Sequence, residues 1–201
     1  KVKGFIFASS DKAYGKHGES KYLESDQLKG DHPYEVSKSS ADLISYSYFK
    51  TYQLPVVITR FGNIYGEGDL HFSRLIPSAM LSILNKKPFE LRSNGLYVRD
   101  FLYVKDVVRG YLLLAENLPE IAGEAFNFGS NDTFTVIEAL KQLEIAIKLA
   151  IPYVVLNKAK NEIPYQSLNF SKVRGLGWNP KASLQSTGQQ IYQWYKNQIK
   201  Q

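Results

Sequence analysis

Short apolar runs alternate along this chain with longer stretches in which apolar residues recur every three or four positions. The runs have strand length and the stretches have helical period. Phe5-Ile6-Phe7-Ala8 reads as a buried strand that ends in Ser9-Ser10, Pro55 to Thr59 as a second, Ala125 to Phe128 as a third and Tyr153 to Leu156 as a late one. Between them, Pro33 sits where a first helical turn tolerates it, and a helix is predicted from there to about Tyr52. Leu75, Ile76, Ala79, Met80, Ile83 and Leu84 share one face of another helix, and further helices are predicted over 104–117, 135–150 and 183–200. Phe89 to Leu91 and Tyr97 to Tyr103 read as strands joined through the turn signal Asn94-Gly95. Residues 10–31 read as a polar loop. Strands that alternate with helices predict an α/β fold on a parallel sheet. The first strand starts at the first residues with nothing ahead of it to pair with, so its missing neighbours are expected from sequence outside this chain.

Composition narrows the classes. An apolar fraction of 44% suits a packed core and argues against disorder. There are no cysteines, which excludes disulfides, thiolate metal sites and a catalytic thiol, and fits a cytoplasmic protein. No stretch approaches the roughly 20 apolar residues of a membrane span. The net charge of +6 is scattered, with no basic and aromatic patch of the kind that binds nucleic acid, so a small phosphorylated partner fits better. His17, His32 and His71 have no metal-ligand spacing and are expected in loop or surface roles.

Ligands of parallel sheets bind at the C-terminal strand ends. Three polar clusters fall there: Ser9-Ser10-Asp11-Lys12, Arg60-Phe61-Gly62-Asn63, and the loop after Phe128. Tyr34 and Lys38 are four apart at the start of a helix, so their side chains share one face. An ammonium beside a phenol favours the phenolate, which can take a proton from a sugar hydroxyl. That spacing alone is common on surface helices. It gains weight from the upstream strand that ends in Ser9-Ser10-Asp11, since the Ser10 hydroxyl could hold the oxygen that Tyr34 attacks.

Ala8-Ser9-Ser10-Asp11-Lys12-Ala13-Tyr14-Gly15 followed by Pro33-Tyr34-Glu35-Val36-Ser37-Lys38 resembles the active-site signature of extended short-chain dehydrogenases/reductases acting on nucleotide sugars. Later segments agree in order: Arg60-Phe61-Gly62-Asn63-Ile64-Tyr65-Gly66, Arg99-Asp100-Phe101-Leu102-Tyr103-Val104-Lys105-Asp106, and Leu176-Gly177-Trp178-Asn179-Pro180. Within that family of epimerases and dehydratases, Ser10-Asp11-Lys12 and the segment Glu162-Ile163-Pro164-Tyr165-Gln166-Ser167-Leu168 most resemble CDP-glucose 4,6-dehydratases.

The resemblance implies a fold and roles. A partial Rossmann-type parallel sheet is expected over 1–62, with segments near 100–130 returning to it, and a smaller α/β substrate-binding domain over 63–201. The cofactor is NAD, with Tyr34, Lys38 and Arg60 on its side, and the substrate a nucleoside-diphosphate sugar met by Asn63, Arg74 and Arg99. Tyr34 would take the C4 hydroxyl proton, Ser10 would hold the C4 oxygen, and Asp11 would protonate the departing C6 hydroxyl. Lys12 stands where other dehydratases have a carboxylate base, and could act as base or stabilise the enolate. An epimerase or reductase would not need Asp11. A homodimer through the helix from Tyr34 to Tyr52 and a place in polysaccharide biosynthesis are implied as well. No glycine-rich dinucleotide fingerprint occurs in the chain, so on the order of 100 residues of βαβ structure are expected to be missing, and the fragment alone is expected to be inactive.

Overall fold

A computed structural model describes residues 2–160 and 162–199. In chain order the elements are β1 (Phe5–Ala8), a 3₁₀ turn (Asp11–Tyr14), α1 (Pro33–Tyr52), β2 (Val56–Phe61), β3 (Asn63–Tyr65), α2 (Leu75–Asn85), β4 (Phe89–Leu91), β5 (Val98–Tyr103), α3 (Val104–Glu116), β6 (Ala125–Phe128), β7 (Thr133–Thr135), α4 (Val136–Ile147), β8 (Tyr153–Val155), β9 (Tyr165–Gln166), α5 (Ser171–Gly175) and α6 (Leu184–Ile199). The expected end of the last helix at Lys200 lies outside the described residues.

The α/β class holds. β1, β2 and β6 form a parallel sheet in that order, with Phe5 opposite Val56 and Ile58 opposite Ala125. All six residues of β2 are buried, as a central strand covered on both faces requires. A second sheet is centred on β5, which pairs in parallel with β3 and β9 and antiparallel with β7. β4 and β8 make a separate parallel pair.

The turn at Asn94-Gly95 forms, with the Leu96 amide donating to Asn94 Oδ1 and Gly95 at φ +82°, but it closes no hairpin. The two strands it joins enter different sheets, β4 pairing with β8 and β5 with β3, β7 and β9. The polar loop after β1 is also more ordered than expected: Ser10 caps the 3₁₀ turn by accepting from the Lys12 amide at 3.2 Å.

Strand alternation in β5 ties two cores together. Phe101 and Tyr103 point into one, with Met80, Leu140, Leu143, Leu184 and Tyr195; Leu102 points into the other, with Val57, Phe61, Phe126, Phe128 and Trp178. In the first, α4 and α6 pack closely at Gly188, where a Cβ would stand 2.7 Å from that of Ala146. In the second, Trp178 stacks edge-on against Phe128 and donates from Nε1 to the Asp106 carbonyl at 3.0 Å.

The helix that carries Tyr34 and Lys38 is fixed by polar contacts. His32 caps it by accepting from the Tyr34 amide, Ser39 Oγ donates to the Ala13 carbonyl at 2.8 Å, and Asp42 meets Arg60 of β2. The Arg60 guanidinium donates from Nε and Nη2 to the two carboxylate oxygens at 2.8 and 2.9 Å, and from Nη1 to the Tyr14 hydroxyl at 2.7 Å. That hydroxyl donates in turn to Asn127 Oδ1 of β6 at 2.7 Å.

Removing one partner of a buried pair strands the other charge. Asp42→Ala is expected to cost about 3–5 kcal/mol of folding stability in urea denaturation. A loss below about 1 kcal/mol would mean that the pair does not anchor α1.

Candidate active site

A cavity of about 730 Å³ opens where β1 and β2 end, with α1, α2 and β5 around it. Eight of the nine site residues read from the sequence line it: Ser10, Asp11, Lys12, Tyr34, Lys38, Asn63, Arg74 and Arg99. The ninth, Arg60, does not. It is 5% exposed and turned into its bidentate pair with Asp42, so its charge and most of its donors are already used, and the expected cofactor role is corrected to an anchoring one. His71, expected in a loop or surface role, is an exposed loop residue at the cavity wall, beside Asp69 and Glu162.

Strand and helix ends bring the polar groups together. β1 leaves the sheet at Ala8, and the 3₁₀ turn folds Asp11 beneath the surface while Ser10 and Lys12 stay partly open. One helical turn separates Tyr34 from Lys38. Lys38 Nζ donates to the Ala8 carbonyl at 3.2 Å, which pins this helix face against the end of β1. The Lys38 and Lys12 ammoniums each stand 5.9 Å from the centroid of the Tyr34 ring, which is 49% exposed. The phenol is thus half-exposed at the cavity and flanked by two cations.

Asp11 lines the cavity, whereas the buried Asp100 and Asp106 do not. It is 5% exposed, accepts from Ser10 Oγ at 2.9 Å and from Gln166 Nε2 at 3.1 Å, and forms no ion pair. Burial dominates and pushes its carboxyl up to about 6; the Ser10 hydrogen bond and the Lys12 and Arg99 charges only partly oppose this. A carboxyl raised to about 6 exchanges a proton more readily near neutrality than an ordinary carboxylate does. Asp100, by contrast, is occupied by Thr133 Oγ1, Ser167 Oγ and the Leu168 amide, and Asp106 by Arg109 and the Lys181 and Ala182 amides. Those two hold the fold.

Arg99 faces the cavity from β5. Its Nη2 is 3.4 Å from Glu162, its Nη1 donates to the Val98 carbonyl, and burial holds its guanidinium below the usual arginine range. Arg74 is the more open cation, 3.2 Å from Asp69. Both suit an anionic ligand, Arg99 with a planar fork that matches phosphate. Gln166 and Glu162 carry no assigned role in the sequence alone; their signal is the resemblance of the segment Glu162 to Leu168. Among the described residues, no three His, Asp or Glu side chains gather as a metal site, and no helix is long and apolar enough to cross a membrane.

The raised carboxyl gives a pH test. Ionising Asp11 costs the folded state, so its stability is intact below the ordinary carboxylate range and falls as pH rises to about 6. Asp11→Asn removes that cost. In urea denaturation the variant is expected to gain up to about 3 kcal/mol on the parent protein at pH near 7.5 and to lose the advantage near pH 4. Equal stability at both pH values would contradict a desolvated Asp11 whose ionisation costs the folded state.

The family model described as NAD dependent epimerase/dehydratase family matches residues 1–129. The dTDP-D-glucose 4,6-dehydratase of Homo sapiens is 31% identical over 206 residues, covering 98% of this chain and 57% of that protein. Among solved structures, the dTDP-glucose 4,6-dehydratase of Bacillus anthracis in complex with NAD superposes with a TM-score of 0.85 at 31% identity, covering 98% of this chain and 63% of that one. The UDP-glucuronic acid 4-epimerase of Bacillus cereus in complex with UDP-glucuronic acid and NAD gives 0.91 at 25%, covering 98% and 63%. The chain thus spans somewhat over half the length of these relatives. It belongs to the NAD-dependent epimerase/dehydratase family.

Proposed function

We propose that this chain is the substrate-binding and proton-handling part of an NAD-dependent nucleotide-sugar 4,6-dehydratase, with CDP-glucose or a close analogue as substrate and the 4-keto-6-deoxy sugar as product. The observation that carries this reading is Asp11, a buried carboxyl without an ionic partner in the same cavity as Tyr34. A 4-epimerase returns its sugar without losing an oxygen and has no use for a proton donor at that point. The dehydratase relatives support the same choice.

The chain's residues divide the work. Ser10 holds the C4 oxygen, and Tyr34 takes its proton. The C4 ketone acidifies the C5 hydrogen, and water leaves across C5 and C6 as Asp11 protonates the departing hydroxyl. Lys12 stands beside Tyr34, where as the free amine it takes the C5 proton and as the resulting ammonium it stabilises the enolate. NAD supplies the hydride acceptor and donor of the cycle. Lys38 and Tyr34 suit its sugar-proximal side: both line the cavity, and Lys38 keeps donors beyond the one that Ala8 uses. Asn63, Arg74 and Arg99 suit the diphosphate. Preference for the cytidine nucleotide rests on Lys12 and on the segment from Glu162 to Leu168. Exposed Leu43, Ile44, Tyr48 and Tyr52 on α1 suit pairing with a second copy through that helix.

Substrate binding tests the reading on the chain by itself. Calorimetric titration with CDP-glucose is expected to show saturable binding, with dTDP-glucose and UDP-glucose weaker. Arg99→Ala is expected to weaken it about ten- to a hundredfold, the worth of a charge-assisted phosphate contact. No saturable binding of any of the three nucleotide sugars, or an Arg99→Ala variant that binds as well as the parent, would overturn the assignment.

A further inference from the structure

Gln166 is the register partner of Arg99 in the parallel pairing of β9 with β5. The pairing brings both residues to the Asp11 side of the cavity, Arg99 in its wall and Gln166 beneath it at 1% exposure. Gln166 Nε2 donates to Asp11 Oδ2 at 3.1 Å, and Ser10 Oγ donates to Oδ1 at 2.9 Å. Each carboxylate oxygen therefore has one donor. The other end of the same amide is anomalous. Gln166 Oε1 is buried with no hydrogen-bond partner, one of two such side-chain atoms among the described residues. Most buried polar atoms are satisfied, and one left without a donor costs about 1–3 kcal/mol.

The orphan oxygen has a partner one half-turn away. Rotating the amide about its last bond exchanges Nε2 and Oε1 and sets the oxygen against Asp11 Oδ2. The exchange is favourable only when Oδ2 carries a proton to donate. A carboxamide is a neutral group that can donate to an ionised carboxyl and accept from a protonated one at a single position. Leucine or methionine there could do neither, and lysine or arginine could only donate.

We infer that Gln166 is a positioning residue for Asp11, an amide that donates to the ionised carboxyl and turns over to accept from the protonated one, so that the acid keeps its place in both states. The inference deepens the dehydratase reading and rests on it, since a proton donor must be emptied and reloaded in each turnover. The surroundings leave the exchange to Gln166. Lys12 and Arg99 favour the ionised carboxyl, Asp100 opposes it, the Tyr22 phenol lies nearby, and none of these is hydrogen-bonded to Asp11 Oδ2. Glu162 faces Arg99 and draws on its charge.

The test needs no turnover. In ¹³C,¹⁵N-labelled protein, Asp11 Cγ and the Gln166 side-chain amide are followed by NMR from about pH 4 to about pH 8, the range that brackets the carboxyl. The Gln166 resonances are expected to move with the same midpoint as Asp11. Gln166→Met is expected to raise that midpoint by about one pH unit, because the donor to the ionised form is lost. Gln166 resonances that stay flat while Asp11 titrates would overturn the inference, as would a Gln166→Met midpoint equal to the parent's. Should the variant not fold, the parent titration alone decides. Failure of the dehydratase reading would appear in the binding titration and leave this result untouched.

Discussion

The site depends on one buried charge pair. Arg60 enters the interior at the end of β2, where a guanidinium can be tolerated only against a fixed anion. Asp42 supplies that anion from α1 with both carboxylate oxygens engaged. The remaining nitrogen holds Tyr14 of the 3₁₀ turn, whose hydroxyl, pushed up to about 12 by burial, stays neutral and donates onward to β6. One guanidinium thus fixes α1, the turn and two strands of the sheet. Tyr34, Lys38 and Asp42 follow one another at four-residue spacing, so the face that points Tyr34 and Lys38 into the cavity is the face that Asp42 locks.

The same burial has opposite outcomes for two carboxyls. Asp42 meets a fork of donors and serves the fold. Asp11 meets a hydroxyl and an amide, which satisfy its oxygens without neutralising its charge, and burial pushes the carboxyl up to about 6. Asp100 and Asp106 lie between these cases, held by hydroxyls, backbone amides and, for Asp106, a half-exposed arginine. Burial also raises the Asp100 carboxyl, but three donors hold it away from the cavity, while Asp11 has two and lines the cavity.

The sequence discloses the long elements because each carries its own signal. The apolar run from Pro55 to Thr59 makes β2 readable except for its last two residues, Arg60 and Phe61, and the Pro33 start and the Tyr34 and Lys38 spacing make α1 readable. β3, β7 and β9, two or three residues each, exist only through pairing with β5, and nothing local announces a partner 30 or more positions away. The Asn94-Gly95 turn shows the converse: a local signal correctly marks a bend and says nothing about which edges the flanking strands will find. The candidate site was legible as a set of residue types at strand ends. Arg60 was misassigned because its motif resembles a ligand-facing one, while its burial depends on Asp42, eighteen positions upstream. Gln166 was within a quoted segment, but its contact with Asp11 crosses 155 positions.

The most direct measurement follows a single hydrogen. A protein in which this chain is joined to a dinucleotide-binding unit is given the nucleotide hexose deuterated at C4, and the label is located in the product. Proton transfer to Tyr34 coupled to proton donation from Asp11 predicts a 4-keto sugar with the deuterium in its C6 methyl group. Deuterium recovered at C4 of an intact hexose would show that no water is lost, and would contradict the role given to Asp11 on which the account rests.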